Sequence, residues 1–155
     1  METPELKKIL KENAVTRETF TGVYALDKLP TASDSEFHQR DRWFLICNCC
    51  PSSRIGKHWI AMFYERGGDV EFFDSFGLPP SAYDARVMAF LNSTAAEDVM
   101  YNSVPLQAID SDACGHYCIG YGVSRCRGNA FDEIVNELST LTRDNMIKFI
   151  VNTLL

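Results

Sequence analysis

Period-two alternation and near-continuous apolar runs dominate the middle of the chain, and 3.6-residue periodicity dominates its ends. His58–Tyr64 is apolar or aromatic at almost every position and predicts a strand buried on both faces. Val70–Ser75 reads as its partner, with Gly67-Gly68 between the two marking a hairpin. Further strands are predicted at Trp43–Asn48, Val99–Asn102 and Val104–Ala108. Helices are predicted at Pro4–Asn13, Tyr83–Leu91, Cys114–Arg125, Ala130–Leu138 and Arg143–Leu155. In the last of these Ile147, Ile150, Val151 and Leu154 recur at i, i+3, i+4 and i+7, so that helix should dock on the core. Thr31–Asp41 is polar and shows neither period. The pattern gives an α+β fold with a central mixed sheet and helices on its faces. With 155 residues, 46% of them hydrophobic, and no linker or repeat, the chain is expected to form a single domain over residues 1–155.

Hairpin register decides which side chains share a face. An even loop with Glu65 opposite Val70 sets Ala61 across from Asp74 and sends His58 and Asp74 to opposite faces. A three-residue loop, Arg66-Gly67-Gly68, sets Ile60 across from Asp74 and places His58 diagonal to that carboxylate on one face. Asp74 could equally cap the turn before Ser75-Phe76-Gly77-Leu78-Pro79-Pro80.

The candidate chemistry is that of a nucleophilic thiol. A cysteine nucleophile needs an imidazole to take its proton, a group to orient that imidazole, and donors for the oxyanion formed during acyl transfer. Cys114 stands where a helix should begin, after the preferred caps Asp110, Ser111 and Asp112. A helix N-terminus favours an anion and leaves main-chain N–H groups for an oxyanion. The chain has three histidines. His116 lies two positions after Cys114 on the same predicted helix and points to a different face. His38 lies in the aperiodic polar stretch. His58, opening a buried strand, remains as the base, with Asp74 as its candidate partner. Gln107, seven positions before Cys114, can bring a side-chain amide as a second oxyanion donor. The alternative for Cys114 alone is a small buried hydrophobe.

These residues resemble those of the adenain family, the maturation proteases of adenoviruses, and more closely the adenain-like proteases of Maverick/Polinton-type mobile elements and related viruses. The resemblance rests on Glu5-Leu6-Lys7-Lys8-Ile9-Leu10, Phe20-Thr21-Gly22-Val23-Tyr24, Trp43-Phe44-Leu45-Ile46-Cys47-Asn48, Gly56-Lys57-His58-Trp59, Phe72-Phe73-Asp74-Ser75-Phe76-Gly77 and Cys114-Gly115-His116-Tyr117-Cys118. It implies a papain-like arrangement in which a helix-borne thiol faces a sheet-borne His/Asp pair. Cys114 would be the nucleophile, His58 the general base, Asp74 its orienting partner, where the adenoviral enzymes carry Glu, and Gln107 an oxyanion donor. Trp59, beside the base, is assigned to substrate binding. The implied substrates are polypeptides, capsid or other structural precursors, cut at glycine-containing sites. The wider clan, with the same His, Asp, Gln, Cys order, also contains proteases that deconjugate SUMO and ubiquitin-like modifiers, which is the alternative activity; a non-catalytic binding module is another.

Charge and cysteine usage refine this picture. The adenoviral enzymes are activated by DNA and by a peptide tethered through a disulfide. With 15 basic and 21 acidic residues the net charge is -6, so binding to DNA is expected to be weak. No cysteine lies between Cys50 and Cys114, which argues against a disulfide-tethered activator and leaves a noncovalent activating peptide open. No cofactor is expected to be required. A structural zinc site is the competing use of the six cysteines, but Cys47 and Cys49 would share one face of a strand while Cys50 points away, and Cys114/Cys118 lack C-x-x-C spacing, so no metal is expected. The absence of a basic, apolar leader or a bilayer-length apolar run predicts no membrane association. The resemblance implies a monomer acting in the host nucleus or cytoplasm, or in the virion.

Overall fold

The computed structural model describes residues 1–49, 58–108 and 110–154. Helix α1 (Thr3–Glu12) leads to strand β1 (Phe20–Ala25), the one-turn helix α2 (Ser35–His38) and strand β2 (Arg42–Asn48). Strands β3 (Trp59–Glu65) and β4 (Val70–Phe73), helix α3 (Ala85–Asn92) and strand β5 (Val99–Tyr101) follow. The chain ends in helices α4 (Cys114–Cys126), α5 (Phe131–Ser139) and α6 (Arg143–Leu154). The strands form one mixed sheet in the order β1-β2-β3-β4-β5, with parallel pairs at the two edges and antiparallel pairs between β2, β3 and β4.

Alternation along the two central strands divides the core. Phe44, Ile46, Ala61 and Phe63 point to one face, where they pack with α1, α4, α5 and α6 through residues such as Leu6, Tyr117, Ile134 and Ile150. Trp43, Leu45, Cys47, Ile60 and Met62 point to the other, against Phe37 of α2 and Val87, Phe90 and Leu91 of α3. An unbroken apolar run, Trp43 to Cys47 in β2 and Trp59 to Tyr64 in β3, is what a strand covered on both faces requires. Helix α4 lies on this sheet closely enough that a Cβ on Gly122 would stand 2.1 Å from Cζ of Phe44. Glycine there sets the depth of the helix that carries Cys114.

The hairpin adopts the odd register. Ala61 pairs with Phe73 and Tyr64 with Val70, so Ile60 stands across from Asp74 as the ladder ends. Gly67 takes φ +84°, the left-handed conformation a three-residue loop needs.

Several boundaries differ from the sequence reading. Phe20–Ala25 is a strand that was not anticipated, hydrogen-bonded in parallel to β2. Val104–Ala108 is not a strand: Pro105 has no N–H, and the amides of Leu106 and Gln107 both donate to the Ser75 carbonyl, at 2.8 and 3.0 Å, instead of to a ladder. Residues 31–41 contain one helical turn, because the Asp34 carboxylate caps the Phe37 N–H at 3.0 Å. Helix α4 starts after Ala113, which has no capping side chain; Ser111 Oγ instead accepts from the Ala113 N–H. Helix α3 starts at Ala85, capped by Asp84, and β4 and β5 end at Phe73 and Tyr101. On α6, Met146 and Ile150 are buried and Leu154 packs against the same core; the side chains of Ile147 and Val151, like Cys50, Gly56, Lys57 and Leu155, lie outside the described residues. Among the described residues, no helix is long and apolar enough to cross a membrane.

Candidate active site

Three chain ends converge at one end of the sheet: the start of β3, the end of β4 and the N-terminus of α4. Antiparallel pairing brings the residue before β3, His58, beside the residue after β4, Asp74. Helix α4 runs alongside β3, with Cys118 near Trp59 at one end and Arg125 over Phe63 at the other, so Cys114 falls at the His58 end.

His58 Nε2 hydrogen-bonds Asp74 Oδ1 at 2.7 Å. That contact leaves Nδ1, buried and without a closed hydrogen bond, as the nitrogen available to the Cys114 sulfur. The Phe76 ring stacks on the imidazole at 4.4 Å, and Tyr83 lies nearly parallel to it at 6.2 Å. Asp74 is fully buried, yet all of its lone-pair directions are used. Oδ1 also accepts from the Phe76 N–H at 3.0 Å, and Oδ2 accepts from the Leu78 N–H at 3.1 Å and from the Tyr83 hydroxyl at 2.6 Å. The turn-capping and imidazole-orienting readings of Asp74 therefore hold together in one carboxylate.

The electrostatics follow from these contacts. Burial would lower the His58 pKa, but the Asp74 hydrogen bond and the Cys114 thiol outweigh it and raise the group to about 9. Burial pushes the Cys114 thiol up; His58 and the main-chain N–H groups of Trp59 and Gly115 more than offset this and hold it below its ordinary value. Burial likewise raises Asp74, and its bonds to His58, Tyr83 and the Phe76 N–H bring it below the usual carboxylate value. Other thiols go the opposite way: burial pushes Cys47 up to about 12 and raises Cys118 and Cys126. Cys114, Cys118, Cys47, Cys49 and Cys126 are all thiols, in no disulfide. Among the described residues, no group of three or more His, Cys, Asp or Glu side chains is arranged to hold a metal ion.

Gln107 is buried between Ser75 and the 110–113 turn. Its Nε2 donates to the Ser111 carbonyl at 2.7 Å and its Oε1 accepts from Ser75 Oγ at 2.5 Å. Trp59 covers the first turn of α4: its ring would meet a Cβ on Gly115 at 3.3 Å, and its carbonyl accepts from the Cys118 thiol at 3.5 Å. His38 hydrogen-bonds the Thr31 carbonyl instead, and His116 lines a cavity of about 290 Å³ with Gln107, Tyr117 and Met146.

Three supporting residues escaped the sequence reading. The sequence pattern marks Tyr83 only as a helix start, Ser75 as a strand end and Asn102, which is buried against the main chain of Asp74, as the end of a strand. The only sequence signal for Ser75 and Asn102 was a polar residue closing an apolar run.

No protein-family model matches the chain, and no curated protein matches it in sequence. Among solved structures, the central domain of the uncharacterized Lpg1148 protein from Legionella pneumophila is similar over 99% of this chain and 96% of that one, with TM-score 0.58 and 14% identity, a likeness of fold alone. The ASFV pS273R protease is similar over 74% of this chain, with TM-score 0.49 and 22% identity; the matched part is 44% of that chain.

Proposed function

We propose that the protein is a cysteine endopeptidase. The observation that carries this reading is one buried relay, Asp74 to His58 to Cys114, in which Cys114 is acidified while Cys47, Cys118 and Cys126 are made less acidic. In the resting pair the proton sits on His58. The Cys114 thiolate attacks the scissile carbonyl carbon, and the developing oxyanion takes hydrogen bonds from the first-turn N–H of Cys114 and from Gln107 Nε2. His58 then gives its proton to the leaving amine, the amine departs, and a thioester remains. Water, deprotonated by His58, attacks the thioester carbonyl; the C–S bond breaks, the acyl group leaves as the carboxylate product, and the thiolate–imidazolium pair is regenerated. Asp74 holds the imidazole in orientation and stabilises its charged form, a role in which Asp serves as well as Glu.

The sequence motifs support an adenain-like enzyme acting on capsid or other structural precursors at glycine-containing sites, as a monomer. A peptide ending in a glycine electrophile tests the assignment directly. It should modify Cys114 in preference to the other five cysteines at neutral pH, and lose that preference in His58→Ala. Equal labelling of all six thiols would remove the peptidase reading. A modifier-derived probe labelling Cys114 faster than a precursor-derived one would move the substrate to the deconjugation class.

A further inference from the structure

An oxyanion donor works only if its dipole is fixed before charge develops, so the question for Gln107 is what prevents its carboxamide from turning over. The carbonyl of Ser111 can only accept, so the Gln107 atom facing it at 2.7 Å must be Nε2. Oε1 therefore faces Ser75, whose hydroxyl donates to it at 2.5 Å. An amide nitrogen carries two protons. One is engaged by Ser111, and the second is left for a substrate oxygen.

Ser75 also fixes the main chain of the same segment. Its carbonyl accepts from the N–H groups of both Leu106 and Gln107. The Tyr117 hydroxyl of α4 donates to the Leu106 carbonyl at 2.8 Å, tying this segment to the helix that presents Cys114. Ser75 is 1% exposed and follows directly on Asp74, so a single dipeptide serves both halves of the site: the carboxylate orients the imidazole and the hydroxyl orients the amide.

We infer that Ser75 is a positioning residue for oxyanion stabilisation, setting the orientation of the Gln107 carboxamide so that one Nε2 proton faces the reacting carbonyl. The inference rests on the peptidase reading for its catalytic meaning, while the contact itself can be tested without turnover. In Ser75→Ala, Oε1 loses its donor and the carboxamide is held through Nε2 and Ser111 alone, so the direction of its second proton is less firmly fixed. The turnover number should fall roughly 3–10-fold, the worth of one net hydrogen bond, with KM little changed.

The rate and pH profile of Cys114 alkylation by iodoacetamide should stay as in the parent, since alkylation forms no oxyanion. In the Gln107→Ala background, Ser75→Ala should add no further loss, because the group it orients is already gone. The same factor lost in both backgrounds, or an altered alkylation profile, would mean that Ser75 acts through Asp74 or through the fold, and would overturn the inference. A parent protein that neither cleaves peptides nor labels selectively at Cys114 would overturn the peptidase reading instead. The side-chain NH2 signals of Gln107 in the ¹⁵N NMR spectrum then decide the contact: a pair of proton shifts displaced from those of an unconstrained glutamine that moves towards them in Ser75→Ala supports the positioning role, and signals unmoved by the substitution exclude it.

Discussion

The side-chain amide of Asn102 grips the main chain of Asp74 at both polar atoms: Oδ1 accepts from its N–H at 3.0 Å and Nδ2 donates to its carbonyl at 2.6 Å, beside the Gly77 N–H that also donates to that carbonyl at 2.9 Å. The β4–β5 ladder ends at Phe72 and Tyr101, so Asn102 continues the pairing with a side chain where the backbone has stopped. The carboxylate that holds His58 is thereby anchored to the edge strand. Asn102→Ala should leave the buried Asp74 N–H without a partner and its carbonyl with the Gly77 N–H alone, and destabilise the protein by about 1–3 kcal/mol. Asn102→Asp keeps an acceptor for the N–H, loses the donor and adds a charge near Asp74. Urea denaturation should rank both below the parent, and kcat/KM should fall with them; parent-like stability in Asn102→Ala would refute the anchoring role.

Cys114→Ala and His58→Ala should each remove nearly all peptide hydrolysis while leaving the circular dichroism spectrum unchanged, and the double variant should be no worse than either. Gln107→Ala should retain the acyl-transfer machinery and lose roughly 10²–10³ in turnover, the usual cost of one oxyanion donor. Gln107→Glu should be at least as slow, because a carboxylate would face the Ser111 carbonyl. Hydrolysis surviving in Cys114→Ala would end the thiol mechanism.

The pH dependence follows from the paired shifts. Hydrolysis needs thiolate and imidazolium together, so the rate should rise as Cys114 ionises below its ordinary value of 9.0 and fall as His58 loses its proton near 9. Stability carries the same information with opposite signs. His58, raised above 6.5, contributes stability that is complete below pH 6.5 and lost as pH rises through about 9. Cys114, lowered, contributes stability that is complete above 9.0 and lost as pH falls through its folded value. Between pH 6.5 and 9 the two oppose each other. Cys114→Ala removes the contribution that grows with pH together with the part of the His58 shift that Cys114 supplies, so its stability should decline just above pH 6.5, over a window that closes below 9, where the parent's opposing contributions offset each other; parallel slopes just above pH 6.5 would deny the coupling.

Tyr83→Phe tests the aromatic side of the carboxylate. It keeps the ring beside His58 and deletes the donor at 2.6 Å from Asp74 Oδ2, leaving three hydrogen bonds on that carboxylate. A hydrogen bond to a charged group is worth about 1.5–3 kcal/mol, so a measurable loss of thermal stability and roughly tenfold lower kcat/KM are expected. Unchanged values in both measurements would show that the hydroxyl is dispensable.

Gly122→Ala should be among the most damaging changes of a single methyl group, since its Cβ would overlap the buried Phe44 ring at 2.1 Å. Relief requires α4 to lift from the sheet, at a cost of roughly 1–3 kcal/mol or more, and lifting carries Cys114 away from His58. Gly122→Ala with parent-like melting temperature and activity would mean that the helix sits less closely than described.

Local physics made much of this protein readable from its residues alone. Alternation and apolar runs located β2, β3 and β4, because a strand covered on both faces is largely apolar; the buried Glu71 of β4 is the exception, held by Tyr121 and Arg125. Gly67-Gly68 marked the hairpin; its three-residue loop, seen in the structure, places His58 and Asp74 on one face through period-two geometry. Cys114 was legible because caps before an apolar helix mark an N-terminus. Tertiary structure decided what depends on distant partners. Phe20–Ala25 is a strand because the edge of β2 lies beside it, despite Thr21 and Gly22 interrupting its apolar pattern. Val104–Ala108 is not one, because Ser75 captures its amides. Asn102 reaches Asp74 across 28 residues and Ser75 reaches Gln107 across 32. Each is a single polar side chain whose partner is chosen by packing, and no periodicity in the chain encodes a contact of that kind.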